Sequence, residues 1–179
     1  MISFRNEIAQ DCDAIAHLHA LSWQRHYAGI FDGKYLENEV FSDRLQVWKK
    51  RFSAIEPDRH IIITEYEGKL AGFACTYLNH HLEWGALLDN LHVLREYQGQ
   101  GIGLKLMQMS YEWVKSKDAE QSMYLGVLVN NLPAKNFYLN VGGIPVNQFS
   151  EICPAGNLVT VDQLKWESLP NFGSKSAVK

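Results

Sequence analysis

The stretch "EYQGQGIGLKL" (96–106) sets glycines at 99, 101 and 103, between the apolar run "GALLDNLHVL" and a segment whose apolar residues recur at helical spacing. A chain of this kind has to leave a strand, turn without Cβ atoms in the way, and enter a helix at once. The first turn of that helix carries N–H groups with no intrahelical partner, and the missing Cβ atoms let an anion approach them, so the turn is a candidate phosphate site. Two glycines usually suffice for a turn; the third favours a ligand over a bare strand-to-helix connection. Spacing narrows the ligand. A Walker loop needs G-x-x-x-x-G-K-[ST], and here Leu104 separates Gly103 from Lys105 with no Ser or Thr following. A dinucleotide loop needs G-x-G-x-x-G opening a βαβ unit, whereas these glycines are evenly spaced and follow three strand-like segments.

Around the loop the patterns alternate in kind. A helix is expected over 11–27, with Ile15, Leu18 and Ser22 inward, and a second over "SDRLQVWKKRF", with Ser42 as N-cap, Leu45, Trp48 and Phe52 on one side and Pro57 closing it. "RHIIITEY" and "LAGFACTYL" read as a hairpin across "EGK", and "GALLDNLHVL" as a third strand. The segment 101–117 is a helix with Leu104, Met107, Tyr111 and Val114 inward, and "SMYLGVLV" is a buried strand. "NNLPAKNFYLNVGG" is a compact helix, started by Pro133 and stopped by Gly142. "IPVNQFSEI", "PAGN" and "LVTVDQLKWESL" form a closing hairpin, and "PNFGSKSAVK" has the composition of a mobile tail. The order specifies an α+β fold with a mixed, mostly antiparallel sheet flanked by helices, as one domain over 1–169 and a tail over 170–179. The glycine loop then sits at the carboxyl end of a central strand, where such sheets bind ligands.

Composition removes several function classes. With 179 residues, 46% apolar and 21% charged, the chain is an ordinary globular domain with a real core. A net charge of −3 without a basic stripe argues against nucleic acid as a partner. No apolar run approaches the roughly 20 residues of a bilayer span, and "MISFRNEIAQ" lacks the pattern of a signal peptide, so no membrane role and a cytoplasmic location are expected. Cys12, Cys75 and Cys153 have no disulfide or zinc spacing and read as buried thiols; seven scattered histidines, including the pair in "LNHHLEW", form no metal set. That pair is expected in a hairpin loop near a substrate entrance.

"LDNLHVLREYQGQGIGLKLM" resembles the acetyl-CoA signature of the GNAT superfamily of N-acetyltransferases, in which a central strand leads into [QR]-x-x-G-x-[GA], here Gln98, Gly101 and Gly103. "VLVNNLPAKNFYLNVGGIPV" is similar to the family's second signature, N-x-x-A-x-x-F-Y-x-x-x-G, through Asn131, Ala134, Phe137, Tyr138 and Gly142. "ALSWQRHYAGIF" and the "YL" after it look like the paired N-terminal helices of small bacterial members. Arg95 stands where many members have proline. The resemblance covers most of 2–169 and implies a three-layer α-β-α arrangement and acetyl-CoA as co-substrate. The acceptor it implies is a primary amine, on a small molecule or on a protein N-terminus or lysine, and a homodimer is left open.

On that resemblance, backbone N–H groups of Gln98, Gly99, Gln100, Gly101, Ile102 and Gly103 hold the pyrophosphate, and Leu91 and Val93 offer backbone contacts to the pantetheine arm and the thioester oxygen. Asn131 matches a residue that touches the arm; an N-cap role is the alternative. Tyr138 matches the tyrosine that protonates the departing sulfur, against a purely packing role. Carboxylates that act as base in some relatives fall at Leu87 and Gly126, so both matches fail. Strand alternation puts Leu87, Asp89, Leu91 and Val93 on one face, which makes Asp89 the candidate base. A water chain, His92 on the opposite face, no dedicated base, or a structural role for Asp89 are the alternatives. The first two helices and the terminal hairpin are implied as the acceptor wall, with Trp23, His26 and Tyr27 as contacts or packing residues. A non-catalytic acyl-CoA sensor, or a module holding another phosphate ligand, are the competing functions.

Overall fold

The computed structural model describes residues 1–169; the tail expected over 170–179 lies outside the described residues. Apolar alternation in "RHIIITEY" gives the clearest view of how the layers form. Ile61 and Ile63 project to one face of the sheet and Ile62 to the other, and all three are buried, so this strand is covered on both sides. The strands are β1 (Ile2–Asn6), β2 (Arg59–Tyr66), β3 (Lys69–His81), β4 (Gly85–Val93), β5 (Met123–Leu128), β6 (Ile144–Ile152) and β7 (Leu158–Trp166). The helices are α1 (Cys12–His26), α2 (Gly33–Asn38), α3 (Val40–Ser53), α4 (Ile102–Lys117) and α5 (Leu132–Asn140). They make one seven-stranded sheet in the order β1-β2-β3-β4-β5-β7-β6, antiparallel except between β4 and β5.

On one face, Ile15, Ala16 and Leu18 of α1 and Trp48 of α3 close over Ile61, Ile63, Phe73 and Cys75. On the other, Leu106 and Met107 of α4 pack on Ile62, Ala74, Leu88, Met123 and Leu125, joined by Tyr138 and Val141 at the end of α5. This is the three-layer arrangement expected. At the "EGK" turn Glu67 and Gly68 both have positive φ, as a two-residue hairpin requires.

Three local differences from the sequence reading stand out. β1 pairs with β2 along the sheet edge, although "ISFRN" carries no strong strand pattern. α2, one and a half turns long and capped by Asp32 through the Tyr35 N–H at 3.0 Å, precedes α3. α3 itself begins at Val40, so Ser42 is not its N-cap; the Ser42 hydroxyl donates to the Glu39 carbonyl at 2.8 Å.

Two irregularities around β4 shape the site. Cys75 pairs with Asn90 and Thr76 with Leu88, which leaves Asp89 as the extra residue of a β-bulge. β4 and β5 pair only at Ala86↔Met123 and Leu87↔Tyr124, and beyond those pairs the two strands separate.

Candidate active site

The glycine loop forms the first wall. Gly99 and Gly101 stand at φ +76° and +78°, in the left-handed region, and nothing lies within 4 Å of a Cβ built on either. Gly101 is the N-cap of α4, and the N–H groups of 99–104 find no backbone acceptor among the described residues. The Gln98 side chain ties the loop to β4 by donating to the Val93 carbonyl at 2.9 Å. The result is a row of free donors at a helix N-terminus with open space before it.

The splayed strands form the second wall. The Leu94 N–H bonds to Ala71 O at 2.8 Å, and the register continues through His92↔Phe73 and Asn90↔Cys75. Antiparallel alternation therefore turns Leu94, His92 and Asn90 towards β3, and leaves the backbone groups of Leu91 and Val93 facing β5. No β5 residue pairs there, so those groups face the gap. A single cavity of about 540 Å³ fills it, running from the loop between β4 and β5 to α1 and α3. Gly126, on β5 past the last pair, is exposed on its wall.

Tyr138 enters from α5, which Asn131 caps through the Ala134 N–H at 3.4 Å, with Pro133 in the first turn. Gly143 N–H closes back on Tyr138 O at 2.9 Å, so the C-terminal turn is fixed around the tyrosine. Its ring packs against Phe137 and Trp166, while the hydroxyl has no protein partner among the described residues. Burial pushes the phenol well above its ordinary pKa, with the neighbouring Tyr27 phenol adding to the shift, so Tyr138 keeps its proton throughout the neutral range. Burial likewise pushes Tyr27 up to about 12.

The far end is polar and crowded. Asp89 Oδ2 lies 2.8 Å from Nη1 of Arg51, whose N–H is directed at Asn90 Oδ1, also at 2.8 Å. The bulge thus points Asp89 towards α3, whereas Leu91 and Val93 pack with Leu88 on the α4 side. The expected alternation, with Asp89, Leu91 and Val93 on one face, is broken by that extra residue. His92 Nδ1 is 2.8 Å from Ser22 Oγ, and its ring lies against His19 at 4.6 Å between centroids. Burial, then His26 and Arg44, push His92 down to about 3, and burial also holds His19 far below its ordinary value. Both rings are neutral at pH 7, and His92 is too weak a base to hold a proton there. Trp48 donates to His19 Nδ1 at 3.0 Å, fixing the proton on Nε2.

The cavity gathers Leu91, Val93, Gln98, Gly99, Gly101, Ile102, Gly103, Asn131, Tyr138, Asp89, Trp23, His26 and Tyr27. Gln100 is outside it, with its exposed side chain on the Glu96 carbonyl. Two expectations fail on geometry. Among the described residues the terminal hairpin contributes none to the lining, since β7 is held from the cleft by β5; α1 and α3 form that wall. The histidines of "LNHHLEW" lie elsewhere, with His81 stacked on Trp84 and His80 bonded to the Tyr124 hydroxyl. Cys12 is only half-buried, unlike Cys75 and Cys153. Arg44, Arg51 and His19 were missed. A signal existed: Arg44, Trp48 and Arg51 stand at i, i+4 and i+7, so an inward Trp48 brings both arginines to the inward face.

Residues 15–142 match the sequence profile of the acetyltransferase (GNAT) family. Among relatives, a Bacillus subtilis protein, provisionally named [ribosomal protein bS18]-alanine N-acetyltransferase, is 31% identical over 99 residues, covering 53% of this chain and 63% of its own. An uncharacterized N-acetyltransferase of the same organism, YobR, is 24% identical over 70% of this chain and 50% of its own length, so the chain spans under two thirds of both. An N-alpha-acetyltransferase of Sulfurisphaera tokodaii is 26% identical over 77% of each chain. In architecture, the PaiA N-acetyltransferase of Thermoplasma acidophilum, crystallised with coenzyme A, superposes with a TM-score of 0.69 at 20% identity, over 93% of this chain and 99% of that one. With the profile spanning the first helix, the glycine loop and the Asn131–Gly142 signature in register, the chain belongs to the GNAT acetyltransferase family.

Proposed function

We propose that the protein is an acetyl-CoA-dependent N-acetyltransferase in which a primary amine attacks the thioester directly. The observation that carries this reading is one cavity joining free loop donors, the unpaired edge of β4 and the Tyr138 hydroxyl. The residues fit the co-substrate: Gly99 and Gly101 leave a cradle that a Cβ would narrow, and the N–H groups of 99–104 supply neutral donors for a pyrophosphate. The Leu91 and Val93 edges hold an extended pantetheine arm as an added strand, and an N–H there, aimed at the thioester oxygen, stabilises the charge that develops on it. Asn131 contributes mainly as the cap of α5.

When the amine nitrogen bonds to the acyl carbon, the C–S bond breaks, the nitrogen loses a proton and the sulfur gains one. Tyr138, held protonated by burial, gives its proton to the sulfur and recovers one from solvent. Asp89 is the carboxylate that lines the cavity, and Arg51 competes for it. The geometry therefore supports an amine entering largely neutral or deprotonated through water, with Asp89 assisting.

A second reading, an acyl-CoA sensor without catalysis, draws on that same engagement of Asp89. One experiment separates them: an acceptor panel incubated with protein and acetyl-CoA, read by release of free thiol. Thiol release above the no-protein rate supports transfer. Calorimetric binding of acetyl-CoA without release for any amine supports the sensor, and no binding overturns both.

A further inference from the structure

Arg44 is the least expected residue in the cavity wall. It is only 8% exposed, and a guanidinium is buried at that depth at a cost unless its donors are matched. Its matching is incomplete. Nη2 bonds to Asp43 at 2.9 Å, a carboxylate that also accepts from the Tyr35 hydroxyl. Nε is sealed without a partner, and Nη1 has no acceptor among the described residues. The guanidinium carbon lies 4.0 Å from the Trp23 ring centroid, a cation–π contact that, with the Asp43 bond, holds the group in place.

The neighbourhood is short of negative charge. The cavity is lined by two guanidiniums, Arg44 and Arg51, against one carboxylate, Asp89, which Arg51 already engages. His19, edge-on to the same Trp23, carries its proton on a buried Nε2 that also lacks an acceptor. Such a wall carries more positive than negative charge and leaves donors unmatched. It also belongs to the same cavity as the Tyr138 hydroxyl: Trp23, on which Arg44 lies, packs against Tyr27 at 5.5 Å between ring centroids, and Tyr27 and Tyr138 both line that cavity.

We propose that Arg44, positioned by Trp23 and Asp43, binds the carboxylate of the acceptor, so that the acceptor is a short amine of amino-acid size with a free carboxylate near its amino group. This rests on the acetyl-transfer reading and narrows it. A carboxylate accepts from the unengaged Nη1 of the guanidinium, which leaves the amino group of the same short molecule inside the cavity that Asp89 and Tyr138 also line. The backbone of a protein N-terminus offers no such carboxylate, because the carboxyl group of its first residue is an uncharged amide.

Matched pairs of L-amino acids and the corresponding L-amino-acid amides test it. With acetyl-CoA and thiol release as the readout, at least one acid should exceed its amide about tenfold or more in kcat/KM, the scale of one charge-assisted hydrogen bond. Arg44→Gln should erase that preference, mainly by raising KM, with acetyl-CoA affinity retained. Arg44→Lys, which keeps the charge but not the fork, should retain part of it and serves where the glutamine variant does not fold. Amides used as well as or better than acids throughout, or a preference unchanged in Arg44→Gln, overturns the proposal and points to a peptide acceptor. Calorimetric titration of the same pairs into the CoA complex keeps the two readings apart. If no amine releases thiol, acetyl transfer fails, yet acids bound over amides in an Arg44-dependent way still support the carboxylate site, and equal or absent binding of both overturns it.

Discussion

Replacing Gly101 with alanine separates cofactor contact from backbone strain. Gly101 stands at φ +78°, and a Cβ built there meets no atom within 4 Å. The cost to the fold is therefore confined to holding an L-residue in the left-handed region, about 1–2 kcal/mol. For a chain of this size that is a Tm decrease of roughly 2–8 °C. Gly68, in the β2–β3 turn away from the cavity, has φ +77° and equally open surroundings, so Gly68→Ala carries the same strain and serves as the control. The methyl at 101, however, enters the space assigned to the pyrophosphate. Losing one charge-assisted hydrogen bond there, about 1.5–3 kcal/mol, weakens binding roughly 10- to 150-fold. Calorimetric titration of acetyl-CoA into both variants, with melting curves alongside, reads the two effects separately. Equal affinities in Gly101→Ala and Gly68→Ala would refute the assignment of the loop, whatever the melting temperatures.

Tyr138→Phe removes only the hydroxyl, so kcat should fall by about 10²–10⁴-fold while the Kd for acetyl-CoA stays within about threefold; a smaller fall, with chemistry rate-limiting, makes Tyr138 a packing residue. Asp89→Asn should lower kcat/KM most near neutral pH and recover as rising pH supplies free amine. A profile of unaltered shape with full activity removes Asp89 from proton transfer, and a salt-sensitive rise in KM alone assigns it to attracting the ammonium. Away from the site, Arg5 bonds Asp11 at 2.7 and 2.8 Å and holds its carboxyl below the usual range. A lowered folded pKa stabilises fully above the unfolded value, about 3.9, and is lost as pH falls through the folded one. Arg5→Met should therefore lower Tm at pH 7 and flatten its decline between about pH 5 and 2; parallel Tm–pH curves for the two proteins would exclude this contribution.

What could be read from the sequence is what short-range chemistry fixes. The glycine loop, the start of α4 and the seven-residue register from Asn131 to Tyr138 each depend on neighbours within two helical turns. β1 was not legible because its stability comes from pairing with residues some sixty positions later, not from its own five side chains. The acceptor wall was half legible: Trp23 and Tyr27 stood out as aromatics, but charged side chains on an amphipathic helix are ordinarily solvated, and only the inward Trp48 between them marked Arg44 and Arg51 as exceptions. Asp89 shows most clearly why. Period-two alternation assumes an unbroken strand, and one extra residue reverses every side chain beyond it. The insertion sits opposite Cys75 and Thr76, just after the last β4–β5 pair, so the residue it turns towards Arg51 stands where the gap begins. Because nothing in "LLDNLHV" departs from a regular strand pattern, that bulge is a property of the sheet, and the role of its one carboxylate follows from the pairing rather than from the residues.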